Sequence, residues 1–221
     1  MISAWSAPTG EAEMVAYFDH QRLHRLLILP ALFDEANKMR HQTLAVMRHL
    51  DHRQIDSFLP DLPGCNESLV PLEEQSLSLW IDAAKAAAQS FQATHVLAIR
   101  GGALLTPPGL PGWRYAPVSG KSILRQLIRS RTISSTEAGR REKSASLFEQ
   151  GRKEGIELAG FSLGPSMIAE LEESEIPLSP RWRDIEQASL NGPPLWLRAE
   201  PDFAADQAER LADIIAQGLK V

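Results

Sequence analysis

The chain has 221 residues, the length of one ordinary domain or one domain with an insertion. It is 43% hydrophobic and 23% charged, a globular composition, and 23 basic against 28 acidic residues give a net charge of −5, which excludes a generally basic nucleic-acid binder. One cysteine, Cys65, excludes an internal disulfide and a Cys-rich zinc site.

The longest apolar run, Leu26–Phe33, is interrupted by Pro30 and is far shorter than the ~20 residues a membrane helix needs. The start Met1-Ile2-Ser3-Ala4-Trp5 has no basic-then-apolar pattern, so no secretory signal is expected and a soluble cytoplasmic protein is. Glu13–Asp19 and Arg25–Leu32 read as strands, the second apolar on both faces as a covered central strand requires. Asn37–Arg53 carries Met39, Leu44, Val46, Met47 and Leu50 at helical spacing, with Asn37 as the expected cap. Ile55–Leu59 is a short strand closed by Pro60-Asp61-Leu62-Pro63-Gly64. Glu73–Phe91 is a helix with Leu77, Trp80, Ile81, Ala84, Ala88 and Phe91 on one face, and Thr94–Ile99 a buried strand broken by Gly101-Gly102. Trp113–Pro117, Trp182–Glu186 (weakly) and Pro194–Ala199 read as further strands. Asp202–Leu219 closes the chain as a helix with Phe203, Ala208, Leu211, Ile214, Ile215 and Leu219 inward.

This alternation implies an α/β fold, a mainly parallel sheet with helices on both faces. Residues 119–154 interrupt it with nine basic and four acidic residues, about +5 against about −10 for the rest. The expected organisation is an α/β core over 1–118 and 155–221 and a small basic helical cap over 119–154, placed above the strand C-termini where such sheets bind ligands.

The segment Val96–Ala103 has the build of a nucleophile elbow, a sharp strand-to-helix turn flanked by small residues. The Gly-x-Ser-x-Gly frame reads Ala98-Ile99-Arg100-Gly101-Gly102, with arginine, a permanently protonated group, at the nucleophile position. All six histidines precede Arg100, so a triad ordered nucleophile, acid, histidine cannot be assembled; Ser119 or Ser122 with an upstream histidine is the remaining substitute.

Four stretches together resemble the second family of exosortase A-associated hydrolases: Leu29–Lys38, Leu59–Ser68, Tyr115–Lys121 and Ile156–Leu163. The resemblance implies an α/β-hydrolase fold, a hydrolase label and a setting in exopolysaccharide export, in a family that itself often shows arginine at the elbow. The chain departs from it in a short helix after the elbow, cut by Pro107-Pro108, and in a weakly matching C-terminal third.

Two readings of the site follow. In one, Arg100 and Gly101 recognise an acidic sugar, lipid phosphate or acyl carboxylate, with Asn37 donating, Glu35 as general base and Ser119 alongside. In the other, Arg100 pairs internally with Glu35 or Asp34, Asn37 caps its helix, Asp61 holds a turn and Cys65 packs inertly. An esterase or thioesterase with a non-standard site is the alternative to a catalytically silent binder. His49 and His52 lack a third ligand, so neither metal nor cofactor is expected. The basic helix Lys121–Arg129 offers a peripheral contact with an anionic membrane or, as a structural element, a cover over the core. Trp80, Trp113, Trp182 and Trp196 are read as core; nothing specifies the oligomeric state.

Overall fold

A computed structural model describes residues 1–220. Nine strands and six α-helices are present: β1 (Ile2–Ser6), β2 (Ala12–Phe18), β3 (Arg25–Leu29), α1 (Asp34–His52), β4 (Asp56–Pro60), α2 (Leu77–Ser90), β5 (His95–Ile99), β6 (Gly112–Tyr115), α3 (Gly120–Glu137), α4 (Ser144–Glu154), β7 (Ile156–Leu158), β8 (Phe161–Leu163), α5 (Pro165–Glu173), β9 (Trp182–Ile185) and α6 (Ala205–Leu219). Seven strands form one sheet in the order β1-β2-β4-β3-β5-β6-β9. β1 and β2 run antiparallel, and β4, β3, β5, β6 and β9 are mutually parallel. The expected fold is therefore present.

Alternation along β3 builds the two cores. Leu27 and Leu29 face one apolar layer, shared with Trp80 of α2, Leu124 of α3 and Leu171 of α5. Leu26 and Ile28 face the other, with Met47 of α1 and Leu211 and Ile215 of α6. All four β3 leucine and isoleucine side chains are inaccessible to solvent, so a polar substitution on either face would bury an unpaired group. Such two-faced burial explains why β3 and β5 read as continuous apolar runs.

Several elements depart from expectation. α1 starts at Asp34, because Phe33 takes the capping position at φ 55° without a side-chain cap; Asn37 is an exposed first-turn residue, not the cap. Pro194–Ala199 is no strand: the edge of the sheet beside β6 is taken by β9, and Leu195–Leu197 form a 3-10 turn after two prolines that cannot donate to a ladder. Phe203 is 42% exposed and stacks on His41 instead of turning inward. β1, whose only buried residue is Trp5, carries too little alternation to be read from sequence.

The connection from β6 to β9 carries α3, α4, the β7–β8 hairpin and α5. α3 buries Ile123, Leu124, Leu127 and Ile128 and presents Lys121, Arg125 and Arg129 to solvent. Part of its charge is answered locally: Arg131 grips Glu142 through two nitrogens, at 2.8 and 2.9 Å, and Arg152 pairs with Glu172. Among the described residues no helix is long and apolar enough to cross a membrane.

Candidate functional site

The C-terminal ends of the parallel strands converge on one turn. β5 ends at Ile99, and Arg100 follows at φ 53°, a left-handed conformation rare for a non-glycine residue, before a 3-10 turn over Arg100–Leu105. That short turn is the short helix expected from Pro107-Pro108. Gly101 is buried against the side chains of Leu32 and Ile123. Gly102 lies so near the main chain of β3 that an added Cβ would stand 2.6 Å from the Leu29 carbonyl oxygen and 2.5 Å from that of Pro30.

The Arg100 side chain turns inward. Its Nε and Nη2 donate to the two carboxylate oxygens of Glu35 at 2.9 and 3.0 Å, a bidentate fork, and its Nη1 donates to the Ala116 carbonyl at 2.7 Å. Its guanidinium carbon lies 4.1 Å from the centre of the Trp196 ring, a cation–π contact. Arg100 and Glu35 are only 12% and 8% exposed at the side chain, so the pair replaces much of its hydration with these partners. Of five guanidinium N–H donors three are engaged here. Of the two internal partners offered by the sequence, Glu35 and Asp34, Arg100 bonds Glu35, while Asp34 pairs with Lys38 at 2.8 Å.

Each partner is delivered by a particular element. Glu35 sits in the first turn of α1, just after Phe33. Ala116 follows β6 at φ 45°, with its N–H bound to the Ile185 carbonyl of β9. Trp196 comes from the 3-10 turn and also meets Tyr115 edge-on at 5.8 Å. The Tyr115 hydroxyl donates to Gln187, and burial pushes its pKa above the usual phenol range. Neither Trp196 nor the Ala116 carbonyl was legible as an Arg100 partner, because their approach depends on how the segments after β9 and β6 fold back over the turn.

Arg100, Gly101 and Glu35 are thus brought together, whereas neither Asn37 nor Ser119 hydrogen-bonds the ion pair. Ser119 caps α3, accepting from the Ser122 N–H, and its Oγ is 3.0 Å from the Ser122 Oγ. No histidine ring hydrogen-bonds a serine among the described residues. His24 precedes β3, His95 opens β5, and His49 and His52 close α1, at the opposite edge of the sheet from Arg100. Cys65 is partly buried, and burial, helped by Asp61 and Glu13, pushes its thiol up to about 12, so it stays protonated at neutral pH.

Beside the first turn of α1 runs an open groove of about 550 Å³, lined by the Asp34–Lys38 pair and by Arg125, Arg129, Ile133 and Leu197 among others. Ile133 and Leu197 are 49% and 69% exposed, and neither Arg125 nor Arg129 pairs with an acid among the described residues. It joins unneutralised positive charge to exposed apolar surface.

No protein-family model matches the chain, and no curated protein matches it in sequence. Solved structures do match. Mouse alpha/beta hydrolase domain-containing protein 10 is 12% identical, with a TM-score of 0.62 over 100% of this chain and 98% of that one. The bottromycin epimerase BotH, solved with bottromycin A2, is 11% identical, with a TM-score of 0.53 over 99% and 98%. Est1E from Butyrivibrio proteoclasticus, solved with ferulic acid, is 11% identical, with a TM-score of 0.52 over 74% and 69%. The chain has the α/β-hydrolase fold.

Proposed function

We propose that this is an α/β-hydrolase-fold protein that binds an anionic ligand without triad catalysis, in an exopolysaccharide system of the exosortase type. The observation that carries this reading is the Arg100–Glu35 fork on the turn after β5. In this fold that turn is where a nucleophile stands. Here it holds a guanidinium that cannot attack a carbonyl, and the nearby carboxylate is occupied in neutralising it. Gly101, buried against Leu32 and Ile123, leaves little room for a reacting carbonyl beside it.

The anion is assigned to the neighbouring groove, because the Arg100 fork is already taken while Arg125 and Arg129 are free of acid partners among the described residues. Two guanidinium groups beside exposed Ile133 and Leu197 suit an acidic head on an aliphatic chain, such as a lipid phosphate or an acyl carboxylate. Residues 119–154 would act as the cap that carries this charge. The four stretches resembling the exosortase-associated family support the biological setting.

A second reading, an esterase or thioesterase with a non-standard site, draws on the paired hydroxyls of Ser119 and Ser122 at the start of α3. One experiment separates the two. A panel of p-nitrophenyl esters and acyl thioesters is expected to show no turnover above buffer. Dodecyl phosphate is expected to bind, and to weaken about tenfold in Arg125→Ala with Arg129→Ala. Turnover lost in Ser119→Ala or Arg100→Ala overturns the silent-site reading; equal dodecyl phosphate affinity for wild type and double variant overturns the anion assignment.

A further inference from the structure

A second, more enclosed space lies on the other side of the Phe33 turn and is independent of the reading of Arg100. It measures about 210 Å³ and is walled by Phe33, Met39, Leu62, Leu72, Trp80 and Phe161. Three of these are aromatic, with Phe33 between the others, 5.5 Å from Trp80 and 5.7 Å, edge-on, from Phe161. Trp80 is fixed by its indole N–H, which donates to the Pro63 carbonyl at 2.9 Å. The exposed residues Asn37 and Asn66 also line the space and mark its mouth.

One corner is polar. Asp61, 3% exposed, also lines the cavity. Its Oδ1 accepts from the Arg40 Nη1 at 2.9 Å and from the Asn66 Nδ2 at 2.7 Å. Its Oδ2 is buried and has no hydrogen-bond partner. A buried acceptor without a donor is costly, and native structures contain few of them. The Oε2 of Glu13 and the Oε1 of Gln75 are likewise buried and unpartnered. The donors Trp5 Nε1 and Ser57 Oγ are buried and unpartnered too, but of all these atoms only Asp61 Oδ2 belongs to a residue of the cavity wall, and it is an acceptor.

We infer that this cavity binds a small monocyclic aromatic molecule carrying an O–H or N–H donor, with Asp61 as its acceptor. The size fits: a dry cavity of roughly 150 Å³ accepts benzene, so this one takes a ring and a few further atoms. The aromatic walls favour a ring through edge-to-face contact. The sign of the charge separates this site from the basic groove. Arg40, the one cation among the lining residues, is already engaged by Asp61 at 2.9 Å, so the corner offers a donor-bearing ligand a carboxylate and an anionic ligand a second negative charge.

The test uses the full chain and three probes of one size: phenol, toluene and benzoate, titrated while following the methyl resonances of Met39 and Leu72. Phenol is expected to shift both methyls saturably, toluene to bind about tenfold more weakly, and benzoate not to bind. Asp61→Asn, isosteric but a weaker acceptor, is expected to shrink the preference for phenol over toluene to about threefold or less. Ala36→Phe, placing bulk in the cavity from α1, is expected to abolish binding of both. The inference is overturned if phenol leaves these methyls unmoved, if toluene or benzoate binds as tightly as phenol, or if a folded Asp61→Asn keeps the full preference. The wild-type ranking decides the matter even where a variant fails to fold.

Discussion

Arg100 commits the turn after β5 inward: its side chain is bent back onto α1 and covered by Trp196. Removing one member of a buried pair leaves the other charged and under-solvated, which typically costs about 3–5 kcal/mol. Arg100→Ala is therefore expected to lower unfolding stability by about 3–5 kcal/mol, since Glu35 is left only 8% exposed at its side chain. The double change Arg100→Met with Glu35→Leu is expected to cost less than Arg100→Ala alone. Urea unfolding of the single and double variants measures this, and additive costs would show that the two residues act separately. Much of this was readable beforehand: the order of residues places Arg100 at the turn, and its charge demands a partner. The choice between ligand and Glu35 was not, because one sequence does not say which way a long side chain folds.

At the scale of elements, the turn after β5 works because two strands approach it closely. Gly102 is its point of closest approach, where an added Cβ would stand 2.5 and 2.6 Å from backbone oxygens of Pro30 and Leu29, with no flexible neighbour to give way. Gly102→Ala is expected to push the 3-10 turn away from β3 and to cost about 1–3 kcal/mol, as overpacking commonly does. Thermal unfolding checks it; an unchanged midpoint would mean that the turn has slack that its geometry denies. β3, β5 and the helix faces of α1 and α2 were legible because burial on both sides of a strand, or along one helical stripe, writes itself into periodicity. The Leu195-Trp196-Leu197 segment misled for the same reason in reverse: it has the apolar density of a strand, but Trp196 is buried under the Arg100 guanidinium and edge-on against Tyr115, not by a ladder. The cavity beside Asp61 was not legible at all, since its walls come from the loops after β3 and β4, from α1, from α2 and from the β7–β8 hairpin.

Across the whole molecule the two edges of the sheet have opposite characters. The edge where strands end carries the Arg100 turn, the groove and the cavity. The edge where strands begin is closed by charge: Arg25 donates to both oxygens of Asp19, at 2.8 and 3.1 Å, to Asp56 at 3.1 Å and to the Phe91 carbonyl at 2.9 Å. Asp56, fully buried, also accepts the backbone N–H groups of His20 and Arg22. This network ties the loop before β3 to β4 and to the end of α2. The hydrogen bond from Arg25 holds the Asp19 carboxyl at about 2, below the ordinary aspartate value. The folded state then binds this proton less readily than the unfolded chain, so the contribution is complete above about pH 4 and disappears as pH falls towards 2. Asp19 is 30% exposed at its side chain, so solvent reduces the effect to about 1 kcal/mol at neutral pH. Urea midpoints measured at pH 7, 4 and 2.5 are expected to fall more steeply below pH 4 for wild type than for Asp19→Asn, which should start lower at pH 7 and meet it near pH 2. Parallel curves would show that the closed edge draws no strength from this carboxylate, and that the strands are held there by their apolar faces alone.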